Sequence, residues 1–182
     1  DMATGAAISL VGVTAWQTLL QTCELKPAER CLVHGGSGGV GHVAVQLADA
    51  AGAKVTTTAA EQYHDRLYDL GAEDVFDYHR DDLAGAISGA GPADVILDHR
   101  LDEYLSLDTD VAAAGGRIVG GRVGRGGEDK LVKTERRIGH TGGCMPVGKT
   151  VPSLAVLPSV FSGVLKQRVA GHLLGRRQFH QL

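Results

Sequence analysis

Three observations predict a doubly wound parallel α/β sheet. Short apolar or β-branched runs alternate with helix-patterned stretches five times before Gly121. Two of the helical stretches close on a glycine, at Gly52 and Gly71, as a left-handed C-terminal position favours. The chain has 182 residues, 43% hydrophobic and 21% charged, enough for one domain with a sizeable core.

Taken in order, Ala6 to Thr22 reads as a helix with Trp16, Leu19 and Leu20 available for packing, and it stops before Pro27, which cannot continue it. Cys31-Leu32-Val33-His34 is a short apolar run ending at Gly35, a buried strand by its length and flanks. Val40, Val43, Ala44, Leu47, Ala48 and Ala51 then recur at i, i+3, i+4, i+7, i+8 and i+11, which is one helical stripe. Val55 to Thr58 is the second strand, with β-branched residues throughout. A polar helix spans about Glu61 to Leu70, a third strand Val75 to Tyr78, and a short helix Leu83 to Ser88. Val95 to Asp98 is the fourth strand, Leu101 to Ala113 a helix, and Arg117 to Val119 the fifth strand.

Beyond Gly121 the pattern weakens. GRVGRGGEDK is loop-like, Arg137-Ile138 is at best a stub of strand, and Pro158 interrupts the apolar stretch Ser153 to Leu174. The expected organisation is a dinucleotide-binding domain over 1–121, then a poorly patterned segment over 122–182. That segment either completes the sheet or is an extension outside the selected fold. Charge marks the same division. Residues 1–110 carry 18 acidic and 6 basic side chains, residues 111–182 carry 3 and 12, and the net is −3.

The basic tail lacks the aromatic interleaving of a nucleic-acid footprint, having only Phe161 and Phe179. No run of about 18 apolar residues exists, so no membrane span is expected. The start lacks the basic n-region of a secretion signal. Cys23, Cys31 and Cys144 are odd in number and widely spaced, as suits reduced cytoplasmic thiols. A cytoplasmic location is the expectation.

The chemistry concentrates after the first strand. His34-Gly35-Gly36-Ser37-Gly38-Gly39-Val40-Gly41 contains G-x-G-x-x-G at Gly36, Gly38 and Gly41, between a predicted strand and a predicted helix. Gly36 permits the tight turn, Gly38 lets a pyrophosphate approach the backbone, and Gly41 lets helix and strand pack closely. The helix dipole and its unpaired N–H groups face the phosphates. This is the Rossmann fingerprint.

AAISLVGVTAWQTLL, ERCLVHGGSGGVGHVAVQLADAAGAKV, LGAEDVFDY, ADVILD and AAAGGRIVG together resemble the medium-chain dehydrogenase/reductase superfamily. Within it they are similar to the zinc-independent quinone oxidoreductase (ζ-crystallin-like) branch, over roughly residues 5–120. The resemblance implies NADPH as cofactor and hydride transfer from its nicotinamide to a small-molecule quinone or activated enone. It assigns the cofactor-binding residues Thr14 beside the nicotinamide and Gly36, Ser37, Gly38, Gly39, Val40 and Gly41 at the phosphates. Ala60 falls at the end of the second strand, His64 at the place of a lysine for the 2′-phosphate, and Tyr78 near the adenosine. A homodimer is compatible with it. No catalytic residue is assigned, and His99 stands where members often carry a small residue.

Zinc-binding relatives carry a cysteine four residues before the threonine matched by Thr14, and Leu10 stands there. No zinc is therefore expected, and no other Cys/His set has ligand spacing. A GroES-like substrate domain has no counterpart before Asp1, so poor quinone turnover is expected of the chain. A non-catalytic dinucleotide-binding module is the alternative.

The remaining polar residues favour plain readings. His34 is expected to be packed or backbone-bonded, His42 to lie at the cofactor's outer edge, and Asp98 and His99 to point apart. Asp81-Asp82 reads as a solvated helix start and Cys31 as inert core. No tyrosine is followed by lysine four residues on, which excludes short-chain dehydrogenase chemistry. Gly143 to Thr150 fits G-x-x-x-x-G-K-[ST], the nucleotide-hydrolase P-loop, with Lys149 and Thr150 in the key places. Its context is poor, because no convincing strand precedes it and Pro152 and Pro158 damage the helix that should come after it. For the cofactor, no carboxylate ends the second strand. Glu61 is expected to point to solvent, and His64 or Arg66 to favour NADPH over NADH.

Overall fold

The computed structural model describes residues 2–120, 134–138 and 144–147. They form one sheet in the order β3-β2-β1-β4-β5-β6-β7. The parallel strands are β1 (Arg30–Val33), β2 (Lys54–Thr58), β3 (Asp74–Phe76), β4 (Ala93–Asp98) and β5 (Ala112–Gly120). The strands β6 (Thr134–Ile138) and β7 (Cys144–Val147) add antiparallel pairings at the β5 edge. The helices are α1 (Met2–Trp16), α2 (Gly41–Ala50), α3 (His64–Asp69), α4 (Leu83–Ala90) and α5 (Leu101–Val111). None of the described helices is long and apolar enough to cross a membrane.

Alternation along the strands divides the core into two layers. Cys31, Val33, Val95, Leu97 and Val119 face one side with Ala44, Val45 and Ala48 of α2 and Leu67 of α3. Leu32, Ile96 and Ile118 face the other, with Leu83 and Ile87 of α4 and Val111 of α5. Successive Cβ atoms point to opposite faces, so near-continuous apolar strands feed both layers. Each fully buried Leu, Ile or Val removes enough surface from water to contribute about 1.5–3 kcal/mol.

Local chemistry sets the boundaries. Gly52 and Gly71 adopt φ of 80° and 105°, the left-handed conformation their positions after α2 and α3 call for. Asp82 caps α4 by accepting a hydrogen bond from the Gly85 N–H at 3.0 Å. The first helix continues past Trp16 as a π-helical segment, Gln17–Thr22, where the Thr18 hydroxyl donates to the Thr14 carbonyl.

Four expectations change in detail. The third strand ends at Phe76, leaving Tyr78 in the loop above it. α5 stops at Val111, because Ala112 turns extended and pairs with Ala93 at the start of β5. The expected stub at Arg137-Ile138 is a five-residue strand whose partners, β5 and β7, lie on either side. In the would-be P-loop, Cys144 to Val147 are extended in β7, although they would have to wrap a phosphate. Lys149 and Thr150 lie outside the described residues.

Candidate functional site

Chain connections from β1 lead to β2 on one side, while β4 lies on its other side. A crevice opens outside the carboxyl ends of the strands at such a switch point. The glycine-rich loop leaves β1 at that point and enters α2. Gly35 takes φ of 68°, the Gly36 N–H donates to the Thr58 carbonyl at 2.9 Å, and the Gly38 N–H to the Gly35 carbonyl at 2.9 Å.

The glycines have different reasons. A Cβ on Gly36 would collide with the Thr57 side-chain oxygen, and one on Gly41 with the Gly35 carbonyl. Those two serve the protein's own packing. Ser37, Gly38 and Gly39 are exposed, and a Cβ on Gly39 would meet nothing nearer than Val11 Cγ1 at 3.8 Å. No side chain caps α2; the His42 N–H of its first turn donates to the Gly38 carbonyl at 3.1 Å, and the turn's remaining amides are donors for whatever fills the crevice. The cradle fits a diphosphate.

Two clefts flank the loop. The larger, about 420 Å³, runs from Gly38–Gly41 across Thr58 and Tyr78 to Asp98, His99, Arg100 and Tyr104. The smaller, about 190 Å³, lies between Gly36–Gly39 and α3, with His42, Tyr63 and Arg66 on its walls. Of the residues singled out from the sequence, Gly38, Gly39, Val40, Gly41 and Tyr78 line the first cleft, and Gly36 and Ser37 line the second. Thr14, Ala60 and His64 line neither. Thr14 donates to the Leu10 carbonyl at 2.9 Å, Ala60 precedes the 3₁₀ turn Glu61–Tyr63, and His64 Nε2 lies 3.1 Å from the Ala59 carbonyl. His42 is half-buried, its Nδ1 lying 2.8 Å from the Gly38 carbonyl.

The floor of the larger cleft is where sequence reasoning fell short. His34 is buried and its backbone N–H donates to the Leu97 carbonyl at 3.0 Å, but its ring also engages two side chains: Asp108 Oδ1 at 2.9 Å from Nε2, and Thr58 Oγ1 at 3.3 Å from Nδ1. Tyr104 stacks on its ring, centroids 4.8 Å apart. Asp98 and His99 both line this cleft. Asp98 accepts from the Arg100 N–H at 2.6 Å, and its second oxygen, like that of the neighbouring Asp108, has no hydrogen-bond partner. Burial above all pushes the Asp98 carboxyl up to about 6, the Asp108 charge adding to it against the Arg100 N–H and His34. Burial above all lowers the His99 pKa, with the neighbouring His34 adding to it. Asp108 sits on the polar-patterned α5, and no local motif links it to His34, 74 positions away.

Cys31 is fully buried, and burial pushes its thiol far up, as expected of inert core. Among the described residues no group of three or more His, Cys, Asp or Glu could hold a metal ion.

Comparison with known proteins agrees with this geometry. Residues 39–150 match the family described as zinc-binding dehydrogenase. Human quinone oxidoreductase is 33% identical over 123 residues, 65% of this chain and 37% of the human protein. The quinone oxidoreductase structure from Coxiella burnetii is 39% identical with a TM-score of 0.56, covering 59% of this chain and 33% of that one. The CurK enoyl reductase structure is 33% identical with a TM-score of 0.61, covering 67% and 38%. The chain thus spans about a third of the length of these relatives. It belongs to the zinc-binding dehydrogenase family, within the medium-chain dehydrogenase/reductase superfamily of oxidoreductases.

Proposed function

We propose that the chain binds NADPH in a protein that passes hydride to a quinone or an activated enone without zinc. The observation that carries this reading is the loop, closed by packing at Gly36 and Gly41 and exposed at Ser37, Gly38 and Gly39. When bound, the nicotinamide supplies the hydride; the protein supplies orientation and charge. The amides of the first turn of α2 would hold the pyrophosphate, and Tyr78 and Thr58 would flank the adenosine end, over β2 and β3. Thr14 would lie beside the nicotinamide. Leu10, 65% exposed, has no ligating atom where zinc-binding relatives carry a cysteine.

The choice of NADPH rests on the smaller cleft. No carboxylate ends β2, and Glu61 is exposed beyond it. Arg66 and the Ser37 hydroxyl share that cleft with the loop, next to where a ribose 2′-phosphate would emerge. His64, directed to the Ala59 carbonyl, plays a lesser part than Arg66. Calorimetric titration of the chain with NADPH and NADH tests the proposal. NADPH is expected to bind more tightly; equal or tighter NADH binding overturns the cofactor choice, and binding of neither overturns the function.

A further inference from the structure

Four groups form a directed chain from the phosphate loop to α5. Asp108 Oδ1, on an acceptor-only carboxylate, requires the hydrogen on His34 Nε2, 2.9 Å away. A ring with its single hydrogen at Nε2 presents Nδ1 as an acceptor to the Thr58 hydroxyl, 3.3 Å away. With its hydrogen so directed, Thr58 Oγ1 turns a lone pair to the Gly35 N–H, which donates at 3.1 Å. Gly35 is the residue whose left-handed φ starts the loop, and nothing else is within 4 Å of its would-be Cβ. The ring cannot swing, because Tyr104 stacks on it within 2° of parallel. His34, Thr58 and Asp108 are all buried.

We propose that Asp108 is a positioning residue for dinucleotide binding, setting the Gly35 end of the phosphate loop through His34 and Thr58. The proposal rests on the NADPH reading above for its ligand, while the relay itself stands on the apo protein. Asp108 touches no atom of the cleft's occupant in this scheme. Its carboxylate fixes a tautomer, the tautomer orients a hydroxyl, and the hydroxyl holds one amide. The second carboxyl of the cluster supports this arrangement. Asp98 does not compete for the imidazole: its Oδ1 accepts from the Arg100 N–H, and its Oδ2, like Asp108 Oδ2, has no hydrogen-bond partner, which leaves Asp108 Oδ1 to His34.

The test uses the full chain with Asp108→Leu, Asp108→Asn, Thr58→Val and Thr58→Ser. Amide exchange at Gly35 is read by NMR without cofactor, and NADPH affinity by titration. Asp108→Leu and Thr58→Val are expected to speed Gly35 exchange about tenfold while β4 amides keep their rates. Asp108→Asn, whose amide oxygen still accepts from Nε2, and Thr58→Ser are expected to stay near wild type. NADPH dissociation constants should keep the same order, about tenfold weaker in the first pair. Thr58→Val keeps the strand's β-branched shape and gives a reading even where Asp108→Leu does not fold. Unchanged Gly35 exchange in Thr58→Val, or equal acceleration across β4, overturns the relay. A wild-type chain that ignores NADPH overturns the dinucleotide reading and the positioning role with it, while the exchange data still judge the relay.

Discussion

Asp98, the last residue of β4, and Asp108 on α5 set two carboxyls near one another beneath the larger cleft, where the Asp108 charge helps to raise the Asp98 carboxyl. Both are buried, and two like charges so placed cannot both ionise cheaply. The pair therefore keeps a proton that an exposed carboxyl would lose near pH 4.

The raised Asp98 carboxyl makes stability depend on pH. The Asp98 carboxyl titrates near 3.8 in the unfolded chain and at about 6 when folded, so the folded state binds the proton more tightly. Its stabilising contribution is complete below about pH 4 and is lost as pH rises through 6. A shift of this size corresponds to about 2–3 kcal/mol. Asp98→Asn, neutral throughout and able to donate to Asp108, is expected to flatten the slope between pH 4 and 7 and to exceed wild type at pH 8. Urea midpoints across this range decide it; an unchanged slope in the variant would refute the raised Asp98 carboxyl.

The loop glycines should separate by purpose. Gly41→Ala forces a Cβ into the Gly35 carbonyl, a backbone atom that cannot yield, and is expected to cost at least about 2 kcal/mol. Gly39→Ala has room and is expected to cost under about 1 kcal/mol while weakening NADPH binding. Denaturation and titration of both variants check the split, and equal destabilisation would contradict it.

Arg66→Ala should weaken NADPH about tenfold and leave NADH unchanged, because only the 2′-phosphate would reach the smaller cleft. Glu61→Ala should change neither. Loss of NADH binding in Glu61→Ala would instead make that carboxylate the ribose reader.

Lys149→Ala is expected to leave nucleotide affinity untouched. The preceding Cys144–Val147 segment is spent on strand pairing with β6 and cannot also wrap a phosphate. A large drop in ATP or NADPH binding would revive the P-loop reading.

Ala28 holds φ of 69° in the turn before β1, tied by its N–H to the Gly52 carbonyl at 2.8 Å. That conformation costs a residue with a Cβ about 1 kcal/mol, and Ala28→Gly is expected to recover part of it despite the entropy glycine adds to the unfolded chain. Thermal melts of the two proteins provide the measurement.

The alternating sheet and the phosphate loop were legible from local pattern alone. Val40, Val43, Ala44, Leu47 and Ala48 share a helical face by spacing, and Gly36, Gly38 and Gly41 keep the G-x-G-x-x-G spacing between a strand and a helix. The strand at Thr134–Ile138 was nearly missed, since its alternating charges carry no apolar run and only its partners' edges make it a strand. The cleft floor was illegible for a deeper reason. His34, Thr58, Asp98 and Asp108 come from four separate segments, and each alone reads as an ordinary polar residue at an element's end or on a helix. The parallel sheet order, with β1 between β2 and β4, is what brings them together, and burial then ties Asp108, His34 and Thr58 into one hydrogen-bonded unit beside an Asp98 carboxyl that it raises.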